Sequence, residues 1–245
     1  MLTIIQVGNN EASNRYVRNK RRAIEENGLK SDLVKLNEDI STDEVIEFVN
    51  VCASMPECKA LMVQLPLPYY IDEYAVLNAI PPHLDIDGLG EFSKEIPLTP
   101  SAIMRWLHEY FGEGGLKGKN VAIFGRSGLV GLPLANCLIE EGATVTVFNS
   151  KSDDVVKSAV CWIADIIITA TGNVNTLKPE YIQHRTIVID VGINRDENGK
   201  LCGDVSKAVR DKIDEFGGYC TPVPGGVGKW TVAELIHRLK EFEEK

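Results

Sequence analysis

Asn120-Val-Ala-Ile-Phe124-Gly125-Arg126-Ser127-Gly128-Leu-Val-Gly131-Leu-Pro133, and then Thr144-Val-Thr-Val-Phe148-Asn149-Ser150-Lys151, is the stretch that decides the fold. It reads strand, glycine loop, helix (Pro133–Glu141), strand. Glycine directly after a strand lets the chain turn tightly. A later glycine lets main chain approach a pyrophosphate and lets the helix pack close to the sheet. The free N–H groups of the helix N-terminus then face the anion. The spacing is G-x-x-G-x-x-G rather than G-x-G-x-x-G, so the loop alone also fits an ordinary βα turn. The second strand carries the chemistry further. An NAD site places Asp or Glu at that strand end for the ribose 2′-hydroxyl. Here Asn149-Ser150-Lys151 stands there, with no carboxylate before Asp153. A hydroxyl and a cation suit a 2′-phosphate, and Arg126 can reach the same group. The reading favours NADP over NAD, with plain turn residues as the alternative for Ser150 and Lys151.

Working outward, the second half continues with a helix at Val155–Val160 and strands at Ile166–Thr169 and Thr186–Asp190. A last helix is expected from Thr231 to about Glu243. Thr231 and Glu234 form an apparent capping box at its start. The first half alternates as well. Strands are expected at Thr3–Val7, Ser31–Leu36 and Ala60–Gln64. Helices are expected at Glu11–Asn27 (ended by Gly28), Thr42–Ser54 and Ile71–Ile80. Val45, Ile46, Phe48 and Val49 supply the apolar face of the second helix. A linker-like stretch runs from Pro81 to Pro100, a helix covers Ser101–Phe111, and Gly112–Gly118 breaks it. This alternation implies two α/β domains with parallel sheets. The division is placed at 1–96, completed by a C-terminal helix at 231–245, and 97–230.

Composition bounds the function. The 245 residues carry a formal charge of −9, with 44% hydrophobic and 25% charged residues. An acidic chain whose longest basic run is Lys20-Arg21-Arg22 argues against nucleic acid or an anionic membrane as partner. No apolar run approaches the ~20 residues of a membrane span, and Met1–Val7 lacks a signal-peptide pattern. Six scattered cysteines without a C-x-x-C pair, and four histidines away from them, argue against a metal site or a disulfide framework. A reducing cytoplasm is the expected compartment. Cys137 and Cys161 read as buried small hydrophobes.

Eight strings, in order, carry a resemblance over essentially the whole chain. They are Tyr16-Val-Arg-Asn-Lys20, Val63-Gln64-Leu-Pro-Leu-Pro68, Asp85-Ile-Asp87-Gly88, Thr99-Pro100, Gly125-Arg126-Ser127, Asp190-Val191-Gly192-Ile193-Asn194, Gly203-Asp204-Val205 and Thr221-Pro-Val-Pro-Gly-Gly-Val-Gly228. The chain closely resembles the bifunctional methylenetetrahydrofolate dehydrogenase/cyclohydrolase family of the FolD type. The resemblance implies a folate-binding N-terminal domain, a Rossmann-type NADP-binding domain, a cleft between them, and a homodimer. It implies NADP+-dependent oxidation of 5,10-methylenetetrahydrofolate to the methenyl form, then hydrolysis to 10-formyltetrahydrofolate. A dehydrogenase without hydrolase activity and a non-catalytic NADP- or folate-binding homologue stand as alternatives.

The resemblance also implies site residues. Lys20, Tyr16, Gln64 and Asp87 are the catalytic set. Tyr16, Gln64, Leu65, Asp87, Pro224, Gly225, Gly226, Val227 and Thr231 are the folate set. Gly125, Arg126, Ser127, Gly128, Gly131, Ser150, Lys151, Thr171, Gly172, Ile193 and Asn194 are the dinucleotide set. Tyr16 and Lys20, four apart, share one helix face. The hydrolysis needs a base for water and an acid for the leaving nitrogen, and a lysine serves only with a lowered pKa. By itself Lys20 reads as a solvated helix lysine beside Arg21 and Arg22, and Asp85 as a turn aspartate; the flanking strings turn Lys20 toward the catalytic role. The chain departs from the family pattern at Leu89-Gly90-Glu91, Leu98, Asn149 and Lys229-Trp230.

Overall fold

The computed structural model describes residues 1–244, and the chain divides into two compact units, Met1–Leu98 with Val232 onward, and Thr99–Thr231.

In the first unit, strands β1 (Leu2–Val7), β2 (Ser31–Leu36) and β3 (Ala60–Val63) form a parallel sheet in the order β2-β1-β3. Every side chain of β1 and β3 is buried. Such continuously buried, mostly apolar runs mark strands covered on both faces. On one face lie helices α2 (Thr42–Ala53) and α3 (Glu73–Asn78), packed through Val45, Val49, Val76 and Leu77. Phe48, expected on the apolar face of α2, is 42% exposed. On the other face lies α1 (Glu11–Glu26), with Val17 and Ile24 inward, beside Leu235 and Leu239 of the C-terminal helix. Asn10 caps α1 by accepting from the Ala12 and Ser13 N–H groups (3.0 and 3.1 Å). Gly28, at φ 73°, ends it in the left-handed conformation that glycine adopts without a Cβ clash.

The stretch after α3 is not a linker in its first part. Asp85 pairs with Leu61 in a parallel bridge, and Leu84, Asp85 and Ile86 are buried. The prolines at 81–82 stop the helix, but the apolar residues after them rejoin the sheet. Helix α3 is also shorter than the expected 71–80. Asp72 caps it through the Ala75 N–H (3.0 Å), so the residues before Asp72 stay outside.

In the second unit, β4 (Asn120–Phe124), β5 (Thr144–Phe148), β6 (Ile166–Thr169), β7 (Ile187–Asp190) and β10 (Tyr219–Cys220) form a parallel sheet in the order β10-β7-β6-β4-β5. Helices α4 (Leu98–Phe111) and α5 (Gly131–Glu140) cover one face through Ile103, Leu107, Leu134 and Leu138. Helices α6 (Asp154–Ile163) and α7 (Lys207–Glu215) cover the other through Cys161, Val209 and Ile213. A two-stranded antiparallel ribbon joins β8 (Asn194–Arg195) and β9 (Leu201–Cys202). The chain steps from β4 to β5 on one side, then crosses to β6 on the other. The carboxyl ends of β4 and β6 are therefore the switch point where open α/β sheets hold their ligands.

The last helix, α8 (Val227–Glu244), starts four residues before Thr231. The expected capping box does not form. Thr231 Oγ1 donates to the Val227 carbonyl one turn back (3.0 Å), the bond of a hydroxyl inside a helix. Glu234 pairs with Arg238 at 3.6 Å instead. Burial of Val227 against Ile103 and its neighbours draws the first turn into helix despite the flanking glycines.

Candidate active site

In the first unit, the carboxyl end of β3 faces α1. Gln64 follows β3 directly, continues its pairing through Gln64 N–H to the Ile5 carbonyl (2.8 Å), and is 8% exposed. Its Nε2 donates to the Leu65 carbonyl (2.6 Å), which turns Oε1 toward α1. Lys20 Nζ donates to that oxygen at 3.2 Å. The Met62 sulfur lies 4.0 Å from the same nitrogen. Burial holds the Lys20 ammonium below the ordinary lysine range, and the Asp87 carboxylate works in the opposite direction. Asp87 is itself raised by burial, partly offset by Lys20. Lys20, Gln64 and Asp87 thus form one half-buried cluster. Tyr16 lies one turn before Lys20, its hydroxyl also raised by burial.

Two residues outside the expected set hold this cluster in place. Asp85 is 1% exposed and accepts from the Gly88 N–H (3.0 Å) and the Gly90 N–H (2.9 Å), which fixes the turn that carries Asp87. The D-x-D-G spacing is a legible Asx-turn signal. Arg238 of α8, 3% exposed, donates to the Ile86 carbonyl (2.9 Å) and pairs with Glu95 (3.5 Å) and Glu234. No local signal marks Arg238 as a support of this turn, because its partners there, Ile86 and Glu95, are distant in sequence.

In the second unit, the glycine loop sits at the switch point. A Cβ on Gly131 would collide with the Gly125 carbonyl, and one on Gly125 with the Ala170 carbonyl. Gly125 also holds φ 112°, outside the range of L side chains. The loop therefore lies backbone to backbone against the turn after β6. No side chain caps α5, leaving its positive end open to an anion. Arg126, Ser127 and Gly128 are exposed.

At the end of β5, Asn149 Oδ1 accepts from the Lys151 N–H (2.8 Å), and this turn leaves Ser150 and Lys151 exposed. Asp153 is occupied as the cap of α6, accepting from Val155 and Val156. The first carboxylate after the strand is thus committed to a helix terminus. An exposed hydroxyl and two exposed cations fit a phosphorylated dinucleotide. Thr171 and Gly172 form the turn after β6, and Asn194 begins β8. Both are tied to buried Asp204. Ile193 is 51% exposed. Pro224, Gly225, Gly226, Val227 and Thr231 lie around the first turn of α8 in this same unit, while Tyr16, Lys20, Gln64, Leu65 and Asp87 belong to the first. Among the described residues, no group of three or more His, Cys, Asp or Glu could hold a metal ion.

Residues 1–87 match the family described as tetrahydrofolate dehydrogenase/cyclohydrolase, catalytic domain, and residues 97–245 match its NAD(P)-binding domain. The bifunctional protein FolD of Streptococcus thermophilus is 43% identical over 97% of this chain and 84% of its own length. The crystal structure of the bifunctional FolD enzyme from Campylobacter jejuni is 38% identical, with a TM-score of 0.91 over 99% of this chain and 87% of that one. The Trypanosoma brucei dehydrogenase-cyclohydrolase, solved with NADP cofactor and inhibitor, is 33% identical, with a TM-score of 0.89 over 99% and 86%.

Proposed function

Because the chain belongs to the tetrahydrofolate dehydrogenase/cyclohydrolase family, we propose that it oxidises 5,10-methylenetetrahydrofolate with NADP+ and then hydrolyses the methenyl product to 10-formyltetrahydrofolate. The observation that carries this reading is Lys20 Nζ held at 3.2 Å from Gln64 Oε1, beside Asp87 and with its pKa lowered by burial.

The assigned roles follow from donor and acceptor chemistry. Asp87 accepts from the amino and ring N–H groups of the pterin, which present donors to a carboxylate. Tyr16 packs its ring on the folate. Gly125, Arg126, Ser127, Gly128 and Gly131 take the dinucleotide phosphates, with Ser150, Lys151 and Arg126 reading the 2′-phosphate. When bound, the dinucleotide accepts a hydride from the methylene carbon. Loss of hydride leaves a cationic methenyl carbon. Water adds to it, Lys20 in its neutral form takes the proton from water, and Gln64 holds the amine in place. The C–N bond to the ring nitrogen then breaks. Lys20, now an ammonium, returns the proton to that nitrogen, the hydroxyl proton leaves to solvent as the formyl C=O forms, and the formyl group stays on the other nitrogen. A base strong enough to take the proton yet neutral near physiological pH requires the lowered pKa.

A cytoplasmic setting and a homodimer complete the proposal. A row of exposed apolar side chains on α6 supports the dimer: Val155 (77%), Val156 (51%), Trp162 (66%) and Ile163 (60%). A groove of about 500 Å³ beside it is lined by Val155, Ala159, Trp162 and Tyr181 together with the polar Asp154, Ser158, Lys178 and Glu180. A protruding indole and a groove on one patch suit a two-fold, self-complementary contact. Steady-state assays with NADP+ and with NAD+, following the methenyl intermediate by absorbance, test the activity. The expected result is turnover preferring NADP+. Binding of NADPH without oxidation of methylenetetrahydrofolate contradicts it.

A further inference from the structure

Two carboxylates buried in the second unit belong to neither reacting set. Asp190 is 1% exposed and Asp204 is fully buried. Asp190 accepts from the N–H groups of Gly192 (3.2 Å), Asp204 (2.8 Å) and Val205 (3.1 Å) and from Thr169 Oγ1 (3.3 Å). Arg210 of α7 donates to it at 2.5 Å. Asp190 therefore anchors the backbone of Asp204. Asp204 in turn accepts from the Thr171 N–H (2.7 Å), Thr171 Oγ1 (2.9 Å), the Gly172 N–H (3.2 Å) and Asn194 Nδ2 (2.9 Å). The fit allows no extra atom. A Cβ on Gly192 would strike the Asp204 carboxylate, and a Cβ on Gly203 would strike that of Asp190.

Burying two carboxylates is costly unless every lone pair is used, and an apolar pair of similar volume would serve stability better. What this network holds is exposed. Thr171 and Gly172 face solvent at the carboxyl end of β6, next to the glycine loop, and Asn194 is half-buried at the start of the ribbon. Loops with no apolar anchor of their own need such support to present fixed donors to a ligand.

We propose that Asp204 is the positioning residue of the dinucleotide site: its carboxylate sets the Thr171–Gly172 turn and the Asn194 amide in the geometry that receives the cofactor. The proposal rests on the dinucleotide reading above. It separates the two reactions, because hydrolysis of the methenyl compound needs no dinucleotide.

The test is Asp204→Ala, which removes the carboxylate that accepts from Thr171, Gly172 and Asn194. NADPH fluorescence titration gives the dinucleotide dissociation constant, and loss of methenyltetrahydrofolate absorbance gives the hydrolase rate. The expected result is NADPH binding weakened about tenfold or more, with hydrolysis kept within about twofold. NADPH affinity within about twofold of wild type, in a variant that still hydrolyses, overturns the proposal. If the variant loses hydrolysis as well, Gly192→Ala decides, since Gly192 belongs to neither site set and its added methyl strikes the Asp204 carboxylate. It is expected to weaken NADPH about threefold or more with hydrolysis intact; unchanged NADPH affinity overturns the proposal. A wild-type chain that hydrolyses but binds no NADPH overturns both this proposal and the dinucleotide reading.

Discussion

Lys20 shows how much a single side chain depends on its surroundings. Between Asn19 and Arg21-Arg22 it reads as a solvated helix lysine. The fold places it against Gln64 and Met62, where burial disfavours the ammonium. The sign of the expected pH dependence follows. The proposed base is the neutral amine, so hydrolysis should rise with pH as Lys20 loses its proton, at a pH below the ordinary lysine value of about 10.4. A pH–rate profile checks this, and Gln64→Ala should move the midpoint. A hydrolysis rate that falls across that range contradicts the assigned role. Arg126 makes a second prediction at this scale. Arg126→Ala should weaken NADP+ by about tenfold or more, the scale of a lost charge-assisted hydrogen bond, and NAD+ far less. Equal losses in the two affinities would show that Arg126 does not read the 2′-phosphate.

The βα turn after β4 is the element on which the second unit depends. Gly131→Ala would drive a methyl group into the Gly125 carbonyl, backbone against backbone. The expected outcome is a melting temperature lower by several degrees and NADPH affinity lost by about tenfold or more. Calorimetry and fluorescence titration check the two parts. This element was legible in the sequence, because glycine, strand and helix signals are all local. The N-terminal strands are legible for the same reason, β1 and β3 as short apolar-rich stretches between turn and helix signals. Less local elements were not. The start of α8 is not legible locally, because Thr231 and Glu234 mimic a capping box while burial of Val227 decides where the helix begins. The segment at 84–87 looked like linker, since its pairing with Leu61 is a long-range fact. Strands of two residues, such as Tyr219–Cys220, are too short to show a period. Helix α7 carries local signals of its own, with Ser206 as cap and Val209 and Ile213 buried four apart.

For the molecule as a whole, the candidate site was legible as a set of residues but not as a set of supports. Lys20, Gln64 and Asp87 were marked by motif. Arg238 and Asp204, which hold the neighbouring backbone, act through partners distant in sequence. Arg238→Met should destabilise the first unit by about 3 kcal/mol, because it removes the buried guanidinium that donates to the Ile86 carbonyl and pairs with buried Glu234; chemical denaturation checks this. Oligomeric state is testable at the same scale. Trp162→Glu places a charge in the apolar row of α6, and light scattering should show a dimer becoming a monomer. A variant that stays dimeric locates the contact elsewhere.

The central claim is that one chain carries a lysine able to finish the chemistry after hydride transfer. Its most direct measurement is the rate of methenyltetrahydrofolate hydrolysis by wild type and by Lys20→Ala, without dinucleotide. General acid–base catalysis contributes about 10²–10⁴-fold, so the variant should be slower by about a hundredfold or more while still binding NADPH. A wild-type rate no faster than that of Lys20→Ala would contradict the account.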